Sequence, residues 1–272
     1  MTETSAPDVG TAAPTRSLTA NSTVALVLAS IVNSLLHESA HAVAALTLGL
    51  TPTISPFSVD VAEAATPNQE IMVASAGPLF SLVLGLVVMR VGRSWGTGVV
   101  RLFWMWLAAM GVMNFVGYCF IAPFAQGGDT GQVLALLGAP ATVYILVALV
   151  GVGGQFLLAR RFAIEVKRYA GTIPDERRLA YFPWLIGTPI LVFLALVELL
   201  LLSVPALYAG PILAYSVAFA VFAPMQFIFT AKVTNRLEPL RLQPVSRRAI
   251  GVVVGVAALD VILAAVGGIR LG

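Results

Sequence analysis

The chain has 272 residues, 58% of them hydrophobic and 11% charged, and a mean hydropathy of +0.92. Water-soluble domains carry about 25% charged residues, so a soluble globule is excluded; the net charge of +3 sits in short clusters with no basic helix or stripe, which excludes a nucleic-acid binder. With Cys119 as the only cysteine there is no disulfide scaffold, and the apolar runs are about twice the length of a barrel strand, leaving an all-α polytopic membrane protein.

Residues 1–22 are rich in Thr, Ala, Ser and Pro and read as a disordered tail. The first apolar run, Thr23–Leu50, holds no Lys or Arg and is too long for a signal-peptide core. Six further runs follow: Ile71–Val91, Leu102–Phe120, Gln132–Leu158, Phe182–Leu202, Pro211–Thr230 and Ala249–Gly268. Each is near or above the roughly 20 residues that cross the hydrocarbon layer, so about seven transmembrane helices are expected. Between the first two, the alternating stretch Ile54–Val61 predicts a short β-strand, which Pro56 restricts to a sheet edge. Gly138-Ala139-Pro140 breaks the fourth run, predicting a short outer helix before the true span. The chain divides into the tail 1–22, a core 23–159 and an accessory three-helix region 160–272.

The connections alternate in charge. Residues 51–70 hold Asp60, Glu63 and Glu70 but no Lys or Arg, whereas the next link has Arg90, Arg93 and Arg101. Residues 121–131 and 203–210 have no basic residue; residues 159–181 and 231–248 are rich in Arg and Lys. This positive-inside pattern predicts a multi-pass protein of the cell membrane with a cytosolic N-terminus. The basic links fit an anionic lipid surface. No internal repeat is visible, which argues against a transporter.

The protein has two histidines, both in the first span, in the order His37-Glu38-Ser39-Ala40-His41. Residues four apart share one helix face, so the two imidazoles can hold one metal ion while Glu38, about 100° round the helix, reaches a water on it. This is the H-E-x-x-H arrangement of zinc hydrolases. Zn²⁺ lowers the pKa of its water to about 7, and the glutamate can pass that proton to a leaving amine. A glutamate in hydrocarbon costs about 2.5 kcal/mol or more without a purpose. Catalytic zinc takes three protein ligands, and without a third histidine the third is a carboxylate: Asp129, Glu198 or Asp260. Asp129 stands in Gln126-Gly-Gly-Asp-Thr-Gly131, where glycines let backbone approach closely. It lies on the same predicted side as the outer end of the first span.

Three stretches together resemble the site-2 protease family of intramembrane zinc metalloproteases: His37–His41, Ala76-Gly-Pro-Leu-Phe-Ser81 in the second span, and Asn114 through Pro123 to Asp129. The resemblance covers roughly residues 23–138. It implies a metal site between the first four helices, with Zn²⁺ held by His37, His41 and Asp129, and Glu38 as general base. It also implies Asn114 as a donor to the tetrahedral oxyanion and a membrane-protein or transmembrane-peptide substrate. The other expectation is a catalytically inactive membrane protein of the same fold, acting as a binding or regulatory partner. The chain departs from the family pattern in four places. Its glycines precede Asp129 and Thr130 follows it, the spacing from Asn114 to Asp129 is long, and Ser81 stands where asparagine is common. His37 lies 14 residues beyond Thr23 (37 − 23), about 21 Å along a helix. By charge bias that places the site toward the outer leaflet, where family members open theirs to the cytosol.

Overall fold

The computed structural model describes residues 16–202, 228–230, 237–238, 240 and 242–272. Its main helices are α1 (Arg16–Thr47), α2 (Pro67–Val91), α3 (Gly98–Ile121), α4 (Asp129–Leu136), α5 (Ala141–Tyr169), α6 (Ile173–Leu201) and α7 (Arg247–Ala265). All but α4 are long and apolar enough to cross a membrane. The expected sixth span, Pro211–Thr230, lies outside the described residues except for 228–230, so these hold six of the seven expected spans.

Local chemistry sets several boundaries. Thr66 caps α2 in a capping box with Gln69, and Pro67 takes the first position, where its missing N–H costs nothing. Ser246 caps α7 by accepting the backbone N–H of Ala249 at 3.1 Å. The break at 138–140 separates α4 from α5 as expected, with Gly138 at φ +62°.

One boundary moves. Residues 16–22, expected in the tail, are helical and belong to α1. Two of their polar side chains, Asn21 and Ser22, have tertiary partners. The Asn21 amide donates to the carbonyls of Ser17 (2.7 Å) and Gln243 (2.9 Å). The Ser22 hydroxyl donates to the carbonyl of Leu179 (2.6 Å) and accepts the indole N–H of Trp106 (2.9 Å).

Helices α1 and α3 form the middle of the bundle. In their most apolar windows 56% and 67% of residues are buried, against 17% in α5 and 11% in α7. Leu26, Leu102, Trp106, Leu107, Met110 and Leu179 make its fully buried centre. Helices α2 and α3 cross at two glycines: a Cβ at Gly111 would lie 2.6 Å from the Ser81 carbonyl oxygen, and one at Gly85 would lie 2.5 Å from the Val112 nitrogen. Such small-residue crossings are how apolar helices gain contact without a hydrophobic driving force. Outward faces stay apolar, as with Leu146, Leu149, Val150 and Leu157 of α5, a surface suited to lipid rather than water.

The expected strand is a hairpin, β1 (Pro52–Ile54) against β2 (Val59–Val61), joined through Pro56. A third strand, β3 (Ile269–Arg270), pairs antiparallel with β1, giving the order β2-β1-β3. The chain alternates ends between helices, so this sheet, α4 and the C-terminal end of α1 share one end of the bundle. The arginine-rich connections lie at the other, where Lys167 meets buried Glu176 at 2.5 Å and Arg168 meets Glu238 at 2.7 Å.

Candidate metal centre

His37 and His41 stand one turn apart near the C-terminal end of α1, both buried. Their ring nitrogens meet: Nε2 to Nε2 is 3.1 Å. Asp129, the first residue of α4, brings Oδ2 to 2.9 Å from His37 Nε2 and 3.4 Å from His41 Nε2. Tetrahedral zinc with bonds of about 2.0–2.1 Å holds its ligand atoms about 3.3–3.4 Å apart. The three atoms therefore already converge near the spacing one ion requires. Among the described residues, this is the group able to hold a metal ion. The rival acids lie elsewhere: Glu198 of α6 and Asp260 of α7 are buried against each other, outside that group.

The outer ring nitrogens fix how the imidazoles present themselves. His41 Nδ1 lies 2.6 Å from the carbonyl oxygen of Val73. A carbonyl only accepts, so Nδ1 carries the proton and Nε2 keeps its lone pair for a metal. His37 Nδ1 lies 3.1 Å from the Ser81 hydroxyl, which can accept in the same way. The ring of Tyr118 stacks on His37, with centroids 5.6 Å apart and planes 5° from parallel.

Helix α2 makes room for this. A Cβ at Gly77 would lie 2.3 Å from His41 Nε2 and 2.7 Å from His37 Nε2. Pro78 follows, removing the N–H that would close on the Ala74 carbonyl and loosening the turn beside Val73. The Gly77-Pro78 pair is thus explained by the site as well as by the helix.

Glu38 points into a cavity of about 1100 Å³ that also reaches His37, His41, Asn114 and Asp129. It is 6% exposed and makes no hydrogen bond within the described residues. Asn114, from α3, is buried on the same cavity wall. His37, Glu38, His41, Asn114 and Asp129 therefore line one cavity, whereas Glu198 and Asp260 do not. Sequence reading missed Gly77 as the floor of the seat, and it treated Ser81 only as a departure from a familiar pattern. It also missed Tyr118. The one available signal was spacing: Ser81 follows Gly77 by four residues and so shares its helix face.

Compared with models of protein families, with curated proteins and with solved structures, the chain matches none.

Proposed function

We propose that this protein is an intramembrane zinc metalloprotease, similar to the site-2 protease family, that hydrolyses a peptide bond in or near a transmembrane segment. The observation that carries the reading is the convergence of His37, His41 and Asp129 beside a carboxyl, Glu38, that has no hydrogen-bond partner among the described residues, at the wall of a cavity large enough for a peptide. A purely structural polar cluster gives no reason to leave a buried glutamate without a partner.

Bound between His37, His41 and Asp129, zinc supplies the Lewis acidity that peptide hydrolysis at neutral pH needs. Val73 and Ser81 hold the imidazoles in the tautomer that points Nε2 inward. Glu38 takes the proton of the attacking water and returns it to the leaving amine. Asn114, which lines the same cavity, is the residue that would donate its amide N–H to the oxyanion. Helical amides are closed by their own hydrogen bonds, so a transmembrane substrate must unwind before it is cut. The outer edge of β2, beside the cavity, can take the unwound segment by strand addition. The positive-inside pattern puts the N-terminus in the cytosol and the cavity toward the outer leaflet.

Glu38→Gln is the deciding variant. It should bind zinc in the same stoichiometry as the native chain and cleave a transmembrane reporter at least about a hundredfold more slowly. His37→Ala should lose both zinc and cleavage. Undiminished cleavage in Glu38→Gln overturns the mechanism.

A further inference from the structure

The cavity in front of the metal seat has a one-sided charge. Asp60, Glu63 and Glu70 stand at its rim, outside the metal seat itself. No Lys or Arg among the described residues lines it. Arg270 of β3, opposite Thr53 on the far edge of the sheet, reaches the Thr51 hydroxyl at 3.4 Å and interacts electrostatically with Glu63, leaving Asp60 and Glu70 as the rim acids that face no strand-borne cation among the described residues.

The rim carboxylates are held in place by the fold. Asp60 is the central residue of β2, opposite Thr53 of β1, and its side chain is exposed. The Thr51 backbone N–H donates to Glu63 at 3.0 Å, and the Thr51 hydroxyl donates to its other oxygen. These bonds hold the Glu63 carboxyl below the usual glutamate range, so it is ionised at neutral pH. Glu70 sits in the first turn of α2, where the helix N-terminus favours its charge.

Two features point to a peptide rather than a small cation as the partner of this charge. The cavity, about 1100 Å³, far exceeds one ion. Its rim also includes the edge of β2 that no strand among the described residues covers, which offers backbone groups along a line. A strand added there sets one of its side chains directly beside Asp60, within the 4.5–5.5 Å at which cross-strand pairs of opposite charge attract. Glu38, buried and without a hydrogen-bond partner among the described residues, lies in the same cavity, so a segment on that edge runs past a group waiting for a reacting partner.

We propose that the segment this cavity takes is cationic: a juxtamembrane stretch carrying Lys or Arg next to the scissile bond, laid along β2 with a basic side chain opposite Asp60. The proposal rests on the proteolytic reading of the site and adds its substrate class. Lysine and arginine gather at the ends of membrane spans, where the chain leaves the hydrocarbon and can unwind, so the rim charge selects a substrate by the segment that is open to capture.

The test uses the full chain carrying Glu38→Gln, in vesicles of phosphatidylcholine so that lipid charge does not compete. The probes are two fluorescent peptides with the same polyleucine span, one flanked on the cavity side by lysines and one by glutamates. The lysine peptide should bind roughly fivefold to tenfold more tightly at low salt, with the gap narrowing as salt rises. Asp60→Asn with Glu70→Gln should remove most of the gap, and Asp60→Lys with Glu70→Lys should reverse it. Equal binding of the two peptides, failure to bind either, or a gap untouched by the rim variants overturns the proposal. Cleavage of a neutral reporter by the native chain is scored separately. Charge-indifferent binding alongside Glu38-dependent cleavage removes the substrate class and keeps the protease. Charge-selective binding without any cleavage does the reverse.

Discussion

Gly77 lies so close to His41 that a methyl group in place of its hydrogen would stand 2.3 Å from the ring nitrogen that faces the metal seat. Contacts under about 3 Å between such atoms force something to move, and here the neighbour is a candidate metal ligand held from behind by the Val73 carbonyl. Gly77→Ala should therefore abolish stoichiometric zinc binding while leaving the helical signal in circular dichroism unchanged. Elemental analysis of the purified variant checks this; a full zinc complement would mean that the imidazoles are not seated against α2.

The Ser81 hydroxyl is the partner of His37 on the side away from the seat. Removing such a partner frees the ring to turn and typically costs ten- to a hundredfold in metal affinity. Ser81→Ala should weaken zinc binding by about that factor, measured by competition with a chelator of known affinity. The loss should be smaller than for Asp129→Ala, which removes a ligand outright.

At the opposite half of α1, Ser22 joins three elements: it accepts the Trp106 N–H from α3 and donates to the Leu179 carbonyl in α6. Both partners are buried. Ser22→Ala strands a donor and an acceptor, and each such group costs about 1–3 kcal/mol. The variant should unfold at a lower temperature in detergent by several degrees, with zinc content per folded molecule unchanged. An unshifted transition would show that water or lipid replaces the lost bonds.

The Thr51–Glu63 contact gives the cavity rim a pH dependence. Hydrogen bonds from Thr51 depress the folded value of Glu63 below the usual 4.5. Its contribution to holding the loop is therefore complete above 4.5 and fades as the pH falls through the lower folded value. An isotope-edited carboxyl titration of Glu63 should show a midpoint below 4.5, and Thr51→Val should move that midpoint upward. A midpoint that stays put in the variant would mean that Thr51 does not anchor the rim.

Much of the architecture is legible residue by residue. A helix that spans hydrocarbon must satisfy its own backbone and be apolar for about 20 residues, so α2, α3 and α7 fall within a few residues of the runs that announce them, whereas α5 starts after the Gly138–Pro140 break and runs on past Leu158 through the basic link to Tyr169. The beginning of α1 is different. Asn21 and Ser22 look like tail because their composition is polar, yet distant carbonyls and Trp106 satisfy them. Strand β3 was equally hidden: two residues at Ile269–Arg270 carry no periodicity, and only pairing with β1 makes them a strand.

The site divides along the same line. His37, Glu38 and His41 are set by local spacing, because a helix turns 3.6 residues per turn whatever surrounds it, and this stretch of sequence alone determines that two imidazoles share a face. Which acid joins them was a choice among Asp129, Glu198 and Asp260 that no local rule could make. It is decided by the way α4 enters the bundle against α2 and α3, and by the burial of the other two acids between α6 and α7. The space for an ion, cleared by a glycine on one helix beneath histidines on another, exists only once the chain has closed on itself, because it is a distance between atoms 36 and 40 residues apart (77 − 41 and 77 − 37).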